Sequence, residues 1–111
     1  MACYVDAAVH PYGRMMMCHL WADSEEELFD MVDRIGVARK WIQRPPKAAW
    51  VHFDIAKSKR ALAVAAGAIE TDRYGPVEHV ARLRLQSPDP TVVALARKKI
   101  EAIAEIRRRR D

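Results

Sequence analysis

The pattern of hydrophobic and polar positions predicts a small sheet built from four strands. The clearest is "MMMCHLWA" (15–22), a continuous apolar run bounded by a turn and by Asp23, as in a central strand that is buried on both faces. Alternation with a period of two places Met15, Met17, His19 and Trp21 on one face of this strand. Shorter runs predict the other strands at "ACYVD" (2–6), "WVHF" (50–53) and "AIE" (68–70).

The first helix follows the long strand and carries complete start and stop signals. Ser24 is the predicted N-cap, and Glu27 completes a capping box three residues later. Four apolar residues then recur at helical spacing and form one core-facing stripe, namely Leu28, Met31, Val32 and Ile35. Gly36 ends the helix.

Two further helices are predicted with weaker boundaries. Asp54 is well placed as the N-cap of an alanine-rich second helix over residues 55–66, which ends at Gly67. The last helix runs from about Thr91 to Arg108, with its apolar residues in one broad arc. The segments "VHPYGR" (9–14) and "TDRYGPVEH" (71–79) are predicted as connectors, and "VARLRL" (80–85) receives no assignment.

This order of elements predicts a small two-layer domain of the α/β or α+β class. The sheet is short and mostly parallel or mixed, with two packed helices and a C-terminal amphipathic helix. The strand–helix–strand unit over residues 50–70 predicts a parallel pair with a right-handed crossover. Residues 1–86 would form the domain, and residues 87–111 a basic helix docked on it or on a second subunit as a homodimer contact.

Composition and charge limit the classes of protein that the chain can belong to. The 111 residues are 50% hydrophobic and 31% charged, which is typical of one globular domain, and no apolar run is long enough to span a membrane. Without a targeting signal, the expected location is the cytoplasm and no membrane partner is expected. Residues 97–111 hold seven Lys or Arg and three Asp or Glu, so the net charge of +4 lies in this tail. Cys3 and Cys18 are predicted to be buried, reduced thiols.

Several of these motifs resemble a known family. The runs "YVD" (4–6), "MCHLWADS" (17–24), "RIGVAR" (34–39) and "HFDIAKSKRALAVAAGA" (52–68) are similar to a small bacterial and phage family called domain of unknown function 4031. The resemblance covers about residues 3–72 and leaves the segment from Pro76 to Asp111 outside. It implies no established activity. Members of the family usually carry tyrosine where this chain has Phe53, so a phenolic hydroxyl is missing at that position.

The segment "HFDIAKSKR" (52–60) contains the strongest candidate for a binding site. It places basic residues in the first turns of the second helix, where the peptide dipole favours acidic ones. Unpaired backbone N–H groups and flexible cations at a helix start suit an anion such as the phosphate of a nucleotide or nucleic acid. The predicted ligand-binding residues are Lys57, Ser58, Lys59 and Arg60, joined by Tyr12 and Arg14 from the preceding loop.

A second set of residues suggests metal chemistry. His52 and Asp54 lie two apart and would point to one face of a strand, which makes them the candidate catalytic residues. If neighbouring strand ends meet, two histidines and three aspartates converge and could hold a divalent metal for phosphate ester hydrolysis. The candidate metal ligands are Asp6, His19, Asp23, His52 and Asp54, and no cofactor is assigned by any motif.

Three functions follow from these patterns, and the sequence does not decide whether the chain is an enzyme. The first is a module that binds a phosphate-bearing ligand at the start of the second helix. The second is a metal-dependent phosphoesterase or nuclease. The third is a regulatory protein-interaction domain that uses its basic C-terminal helix.

Overall fold

The computed structural model describes residues 2–110 and shows two compact units that divide between Arg73 and Tyr74. The first unit is a mixed five-stranded sheet with two helices, which confirms the predicted fold class in its α+β form. Its elements are β1 Cys3–Val5, β2 His10–Tyr12, β3 Met15–Ala22, α1 Glu25–Ile35, a 3-10 turn Arg39–Trp41, β4 Phe53–Ala56, α2 Lys57–Ala65 and β5 Ile69–Glu70. The second unit contains α3 Gly75–Arg84 and α4 Pro90–Arg110.

Strand β3 is the central strand of the sheet and is hydrogen-bonded to neighbouring strands along both of its edges. Strands β1 and β2 lie one after the other along one edge, both antiparallel to β3, while β4 pairs antiparallel with the other edge. Strand β5 adds to β1 in parallel. Strands β4 and β5 therefore run in the same direction but are separated by β3 and β1, so the predicted parallel pair over residues 50–70 is wrong.

The ladder between the β1–β2 edge and β3 contains an interruption at residues 6–9. These four residues lie opposite only Cys18 and His19, between the pairs Val5–Leu20 and His10–Met17. Extra residues in one strand bend it and re-aim its side chains, as in β-bulges. This segment, called the β1–β2 interruption below, positions the Asp6 side chain against the middle of β3.

One face of the sheet forms the hydrophobic core with α1 and α2. Leu20, Phe53 and Ile55 point into it and are fully or almost fully buried, and the predicted α1 stripe packs against them. Helix α1 begins and ends as predicted, with Ser24 accepting from the Glu27 N–H and Gly36 in the left-handed conformation. Burial raises the pKa of the Cys18 thiol to about 12, in keeping with a buried, reduced cysteine.

The other face of the sheet, called the open face below, is not covered by these helices. The prediction that β3 is buried on both faces is therefore wrong for part of its length. Met15 is exposed and His19 is partly exposed, whereas Trp21 is buried. The Trp21 ring lies 5.8 Å from Tyr4 and 5.6 Å from Trp50, centroid to centroid, so aromatic side chains cover that end of the strand.

The start of α2 differs from its prediction. Asp54 lies inside β4 rather than at a helix N-cap. The cap residue is Ala56, whose methyl group cannot form a hydrogen bond to the helix. The preference of aspartate for the N-cap position is a local effect. Here the strand pairing of His19 with Asp54 between β3 and β4 outweighs this preference. The strand is therefore longer at its C-terminal end, and the helix begins at Lys57.

The second unit is a pair of packed helices, of which the sequence predicted only one. Helix α4 begins at Pro90, with the Thr91 N–H donating to the Asp89 carboxylate at 2.9 Å. Helix α3 was missed because Gly75 and Pro76 indicate a turn, although proline also suits the first turn of a helix. Docking of α4 on a second subunit stays a prediction. None of the helices described within residues 2–110 is long and apolar enough to cross a membrane.

Candidate functional site

Three histidine rings meet on the open face around the middle of β3. His19 is central, with the centroid of His10 at 4.3 Å and that of His52 at 5.2 Å. Each ring comes from a different part of the sheet: His10 from β2, His19 from β3, and His52 from the residue before β4. The register explains the meeting, because His10 pairs with Met17 and Asp54 pairs with His19.

The ring of His19 is oriented by Asp6 from the β1–β2 interruption. One carboxylate oxygen of Asp6 accepts the His19 backbone N–H at 2.7 Å, and the other lies 2.7 Å from Nδ1 of the same residue. Because an ionised carboxylate can only accept, Nδ1 carries the proton and the Nε2 lone pair of the neutral ring faces away. This hydrogen bond to Asp6 raises the pKa of His19, against the opposing effect of burial.

The ring of His52 is oriented in the same way by a backbone carbonyl. Its Nδ1 lies 3.1 Å from the Trp50 carbonyl oxygen, and the indole of Trp50 stacks on the ring with centroids 4.2 Å apart. His52 is 6% exposed, so its orientation is fixed by packing as well as by the hydrogen bond. Its Nε2 then faces Asp54, with 3.5 Å between Nε2 and the nearer carboxylate oxygen.

The carboxylate of Asp54 lies between the two Nε2 atoms. The distance from its Oδ1 to His19 Nε2 is 3.9 Å, and Gln43 donates to its Oδ2 at 3.4 Å. The neighbouring His52 ring holds the pKa of Asp54 below its usual value, and His19 and His10 add to this effect. Asp54 is therefore a carboxylate at neutral pH, which is the state in which it can bind a cation.

The ligand atoms of this cluster lie close enough together to contact one cation. Ligand atoms of His19, His52 and Asp54 all lie within 4.8 Å of one another. Around a tetrahedral zinc ion with bonds of about 2.0–2.1 Å, ligand atoms are separated by about 3.3 Å. Histidine ligands in such sites usually donate their other N–H to a carboxylate or a carbonyl, as His19 does to Asp6 and His52 to Trp50.

A cleft of about 710 Å³ opens beside this cluster. His10, His19 and Asp54 line its polar part, while Met15 and Met17 form part of its apolar lining. Tyr12 and Trp41 also line the cleft and are 71% and 63% exposed. The cleft thus combines a group of metal-binding side chains with exposed aromatic rings, a combination that suits a small polar ligand with a planar part.

The structure brings together four of the five metal candidates predicted from the sequence. Asp6, His19, His52 and Asp54 belong to the cluster, with Asp6 behind His19. Asp23 does not, because its carboxylate accepts from the Ala2 backbone N–H and the Tyr4 hydroxyl at the far end of β3. The cluster lies on the open face rather than at the edge where the strands end, since its central strand is antiparallel to its neighbours.

The basic residues at the start of α2 lie apart from the cluster. Lys57 and Ser58 are exposed, whereas Lys59 donates to the Ile35 carbonyl at 3.0 Å. Ile35 is the last residue of α1, so this cation stabilises the negative end of another helix. Arg60 donates from Nε to the Asp6 carbonyl at 2.7 Å and pairs with Glu70 at 3.0 Å.

Arg60 thereby supports the β1–β2 interruption. In an uninterrupted antiparallel pair the Asp6 carbonyl would accept the His19 N–H. Here the Asp6 side chain has taken that donor, and Arg60 satisfies the carbonyl instead. Lys59 and Arg60, which are predicted to bind an anion, therefore have structural partners within the protein. Of the loop residues predicted with them, Tyr12 lines the cleft and Arg14 is exposed in the turn between β2 and β3.

His10 is the member of the cluster that the sequence analysis did not assign to the metal group. The "HPYGR" segment was predicted as a loop because of Pro11 and Gly13, but its first three residues form β2. A hairpin turn at Gly13 would have placed His10 beside Met17 and on the face of His19. The sequence is therefore compatible with a β2–β3 hairpin, but Pro11 favours a loop and so argues against the strand.

Comparison with known proteins identifies the family of the chain. The model of a family described as "Protein of unknown function (DUF4031)" matches residues 3–85, and the chain belongs to this family. The match extends past the expected end near residue 72 and includes the whole of α3, so the expected exclusion of the segment from Pro76 onwards is wrong as far as residue 85. No curated protein and no solved structure matches the chain.

Proposed function

For this member of a family of unknown function, we propose a metal-dependent phosphoesterase that acts on nucleotides or nucleic acid. The observation that supports the proposal is the convergence of His19, His52 and Asp54 within 4.8 Å. Both rings have Nδ1 engaged by an acceptor, so both present Nε2 to the same place.

The geometry of the three ligands suits catalysis rather than a structural ion. Structural zinc sites are closed by four protein ligands, whereas catalytic sites keep a position for water or substrate. When bound, the metal would activate a water molecule and polarise a phosphate ester. His19 and His52 would hold it, and the Asp54 carboxylate would balance part of its charge. The cleft gives access to this position from solvent.

The aromatic residues of the cleft support a nucleotide or nucleic-acid substrate. Tyr12 and Trp41 line it with their rings exposed, and an exposed aromatic ring can stack on any base. A phosphate at the cluster and a base beside these rings would occupy the polar and the apolar parts of the cleft. The cytoplasmic location and the homodimer through α4 stay predictions beside this proposal.

The test uses the full chain after metal removal, with zinc as the probe and bis(p-nitrophenyl) phosphate or a single-stranded oligonucleotide as the substrate. We expect zinc to raise the melting temperature and to restore hydrolysis. His52→Ala and Asp54→Asn should lose zinc affinity by more than the about 10- to 100-fold that changes behind a ligand cost. Asp30→Asn, at an exposed carboxylate of α1, is the matched control and should bind as the wild type does. Zinc affinity that neither cluster variant lowers would remove the basis of the proposal.

A second candidate function is phosphate binding at the start of α2. Lys57 and Ser58 are exposed there, and the first turn of the helix contains no acidic residue. In this case Lys57→Ala would weaken the binding of inorganic phosphate to the metal-free protein severalfold in calorimetry and leave zinc affinity unchanged. Equal phosphate binding by the variant and the wild type would speak against this candidate.

A further inference from the structure

We propose that the cleft binds single-stranded nucleic acid, with Tyr12 and Trp41 stacking on two of its bases, so that the substrate is a strand rather than a free nucleotide. This inference rests on the proposed function, in which the metal cluster cleaves the phosphate ester, and it names the substrate class. It starts from two aromatic rings that line the same cleft as His19 and Asp54.

The first argument is the exposure of these rings. Tryptophan is highly buried on average in folded proteins, yet more than half of the Trp41 side chain is exposed, and Tyr12 is more exposed still. Met15 lines the same cleft and is also exposed. Exposed apolar side chains that group together beside polar residues mark binding sites, whereas scattered ones need no explanation.

The second argument is the ordered backbone under both rings. Trp41 ends the 3-10 turn, which is tied to α1 because Arg39 donates two hydrogen bonds to the Asp33 carboxylate, at 3.0 and 2.6 Å. The guanidinium of Arg39 also lies over the Phe29 ring, 4.9 Å from its centroid. Tyr12 is the last residue of β2 and is held by the pairing of that strand with β3. Rings that are already held in place lose little conformational freedom on binding, which favours affinity.

The third argument is the positive charge beside each ring. Nζ of Lys40 lies 5.1 Å from the centroid of the Trp41 ring, and Arg14 is exposed in the turn that follows Tyr12. Residues 37–49, which contain Trp41, hold four Lys or Arg and no Asp or Glu. Sites for single strands combine cations that follow the phosphates with aromatic rings on which successive bases stack. The ligand that fits this combination is a polyanion with exposed planar groups.

A single strand fits two stacking rings better than a duplex or a free nucleotide does. In a duplex each base is already stacked on its neighbours, whereas the bases of a single strand can turn out and stack on protein rings. A free nucleotide has one base and can therefore use only one of the two rings. Affinity should rise from a mononucleotide to a short oligonucleotide with little dependence on sequence, because every base has a π-face.

The experiment measures the binding of oligo(dU) and oligo(rU), which differ only in the 2′-hydroxyl and so distinguish DNA from RNA. The metal-free protein is used in the presence of a chelator, so that binding does not depend on the metal site. We expect Trp41→Ala and Tyr12→Ala each to lower the affinity about 5- to 150-fold, the range for stacking on one base, and Trp41→Phe to keep most of it. Leu62→Ala removes an exposed apolar side chain of α2 outside the cleft and should bind as the wild type does.

The charge beside Trp41 has its own test. Lys40→Gln should reduce the slope of log affinity against log salt concentration by about 0.7, the value for one phosphate contact on a single strand. An unchanged slope would remove Lys40 from the binding site.

The outcomes separate this inference from the proposed function. If both ring variants bind the oligonucleotides as tightly as the wild type while His52→Ala loses zinc affinity, the metal site stands and this inference is wrong. Equal affinity of the wild type for a blunt duplex or for uridine monophosphate would also overturn it. If Trp41→Ala weakens oligonucleotide binding while His52→Ala keeps its zinc affinity, the cleft binds strands and the proposed hydrolysis fails. Melting temperatures of the variants, expected to be close to that of the wild type, show whether each variant is folded.

Discussion

Asp6→Asn is expected to lower zinc affinity by about 10- to 100-fold while keeping most of the stability of the protein. The asparagine side chain has nearly the same shape, and its oxygen can still accept the His19 backbone N–H. Its amide NH₂ group, however, would face Nδ1 of His19 in place of a carboxylate oxygen. A donor at that position favours the tautomer with the proton on Nε2, which is the nitrogen that the metal needs.

The mechanism can be separated from simple unfolding by measuring the tautomer itself. Nitrogen NMR of the metal-free protein, recorded above the raised pKa of His19 so that the ring is neutral, should show the His19 proton on Nδ1 in the wild type and on Nε2 in Asp6→Asn. Asp6→Ala is the matched comparison, because it removes both acceptors and leaves two partly buried His19 donors unpaired, each at a cost of up to about 1–3 kcal/mol. Wild-type zinc affinity in Asp6→Asn, together with a changed tautomer, would mean that Nε2 of His19 is not a ligand.

Phe53→Ala is expected to lower the free energy of unfolding by about 3–5 kcal/mol. Phe53 is fully buried, pairs across the ladder with Leu20, and meets the Phe29 ring edge-on at a centroid distance of 6.4 Å. Removing the ring leaves a cavity under the central strand that rigid neighbours cannot fill. Domains of this size are stable by about 5–15 kcal/mol, so the loss is a large part of the total.

Urea unfolding followed by circular dichroism measures this effect. Leu62→Ala is the matched control, because Leu62 lies on α2 but is 50% exposed, and it should cost less than about 1 kcal/mol. Equal losses in the two variants would contradict the assignment of Phe53 to the core.

The position of Phe53 also bears on function. Phe53 points to the core face between His52 and Asp54, so a tyrosine there would place its ring among the core residues rather than in the cluster.

Helix α1 and the faces of β3 could be predicted because their signals are local. The capping box of Ser24 and Glu27 and the stop at Gly36 are all present in the structure. Alternation along β3 placed Met17 and His19 on one face, as the cleft confirms. A period of two needs no knowledge of neighbouring strands, so it remains valid whatever the topology is.

The composition of the cluster could be predicted only in part, because it depends on which strands are neighbours. His52 and Asp54 were found from their spacing within one segment, whereas the approach of His10 depends on a hairpin that Pro11 concealed. The unusual cations of α2 have a similar explanation. Lys59 is unfavourable for the dipole of its own helix, but it bonds the last carbonyl of α1, which is distant in sequence.

The β1–β2 interruption has a consequence for which insertions and deletions the protein can tolerate. It adds two residues relative to β3, an even number, so alternation still points Val5 into the core and His10 to the open face. Removing one residue from positions 7–9 would leave one extra residue relative to β3, an odd number. The side chains of β2 would then point to the opposite face, so His10 and Tyr12 would both leave the cleft. Removing two residues would keep the faces. Length variation in this loop should therefore occur in steps of two among chains that keep the cluster.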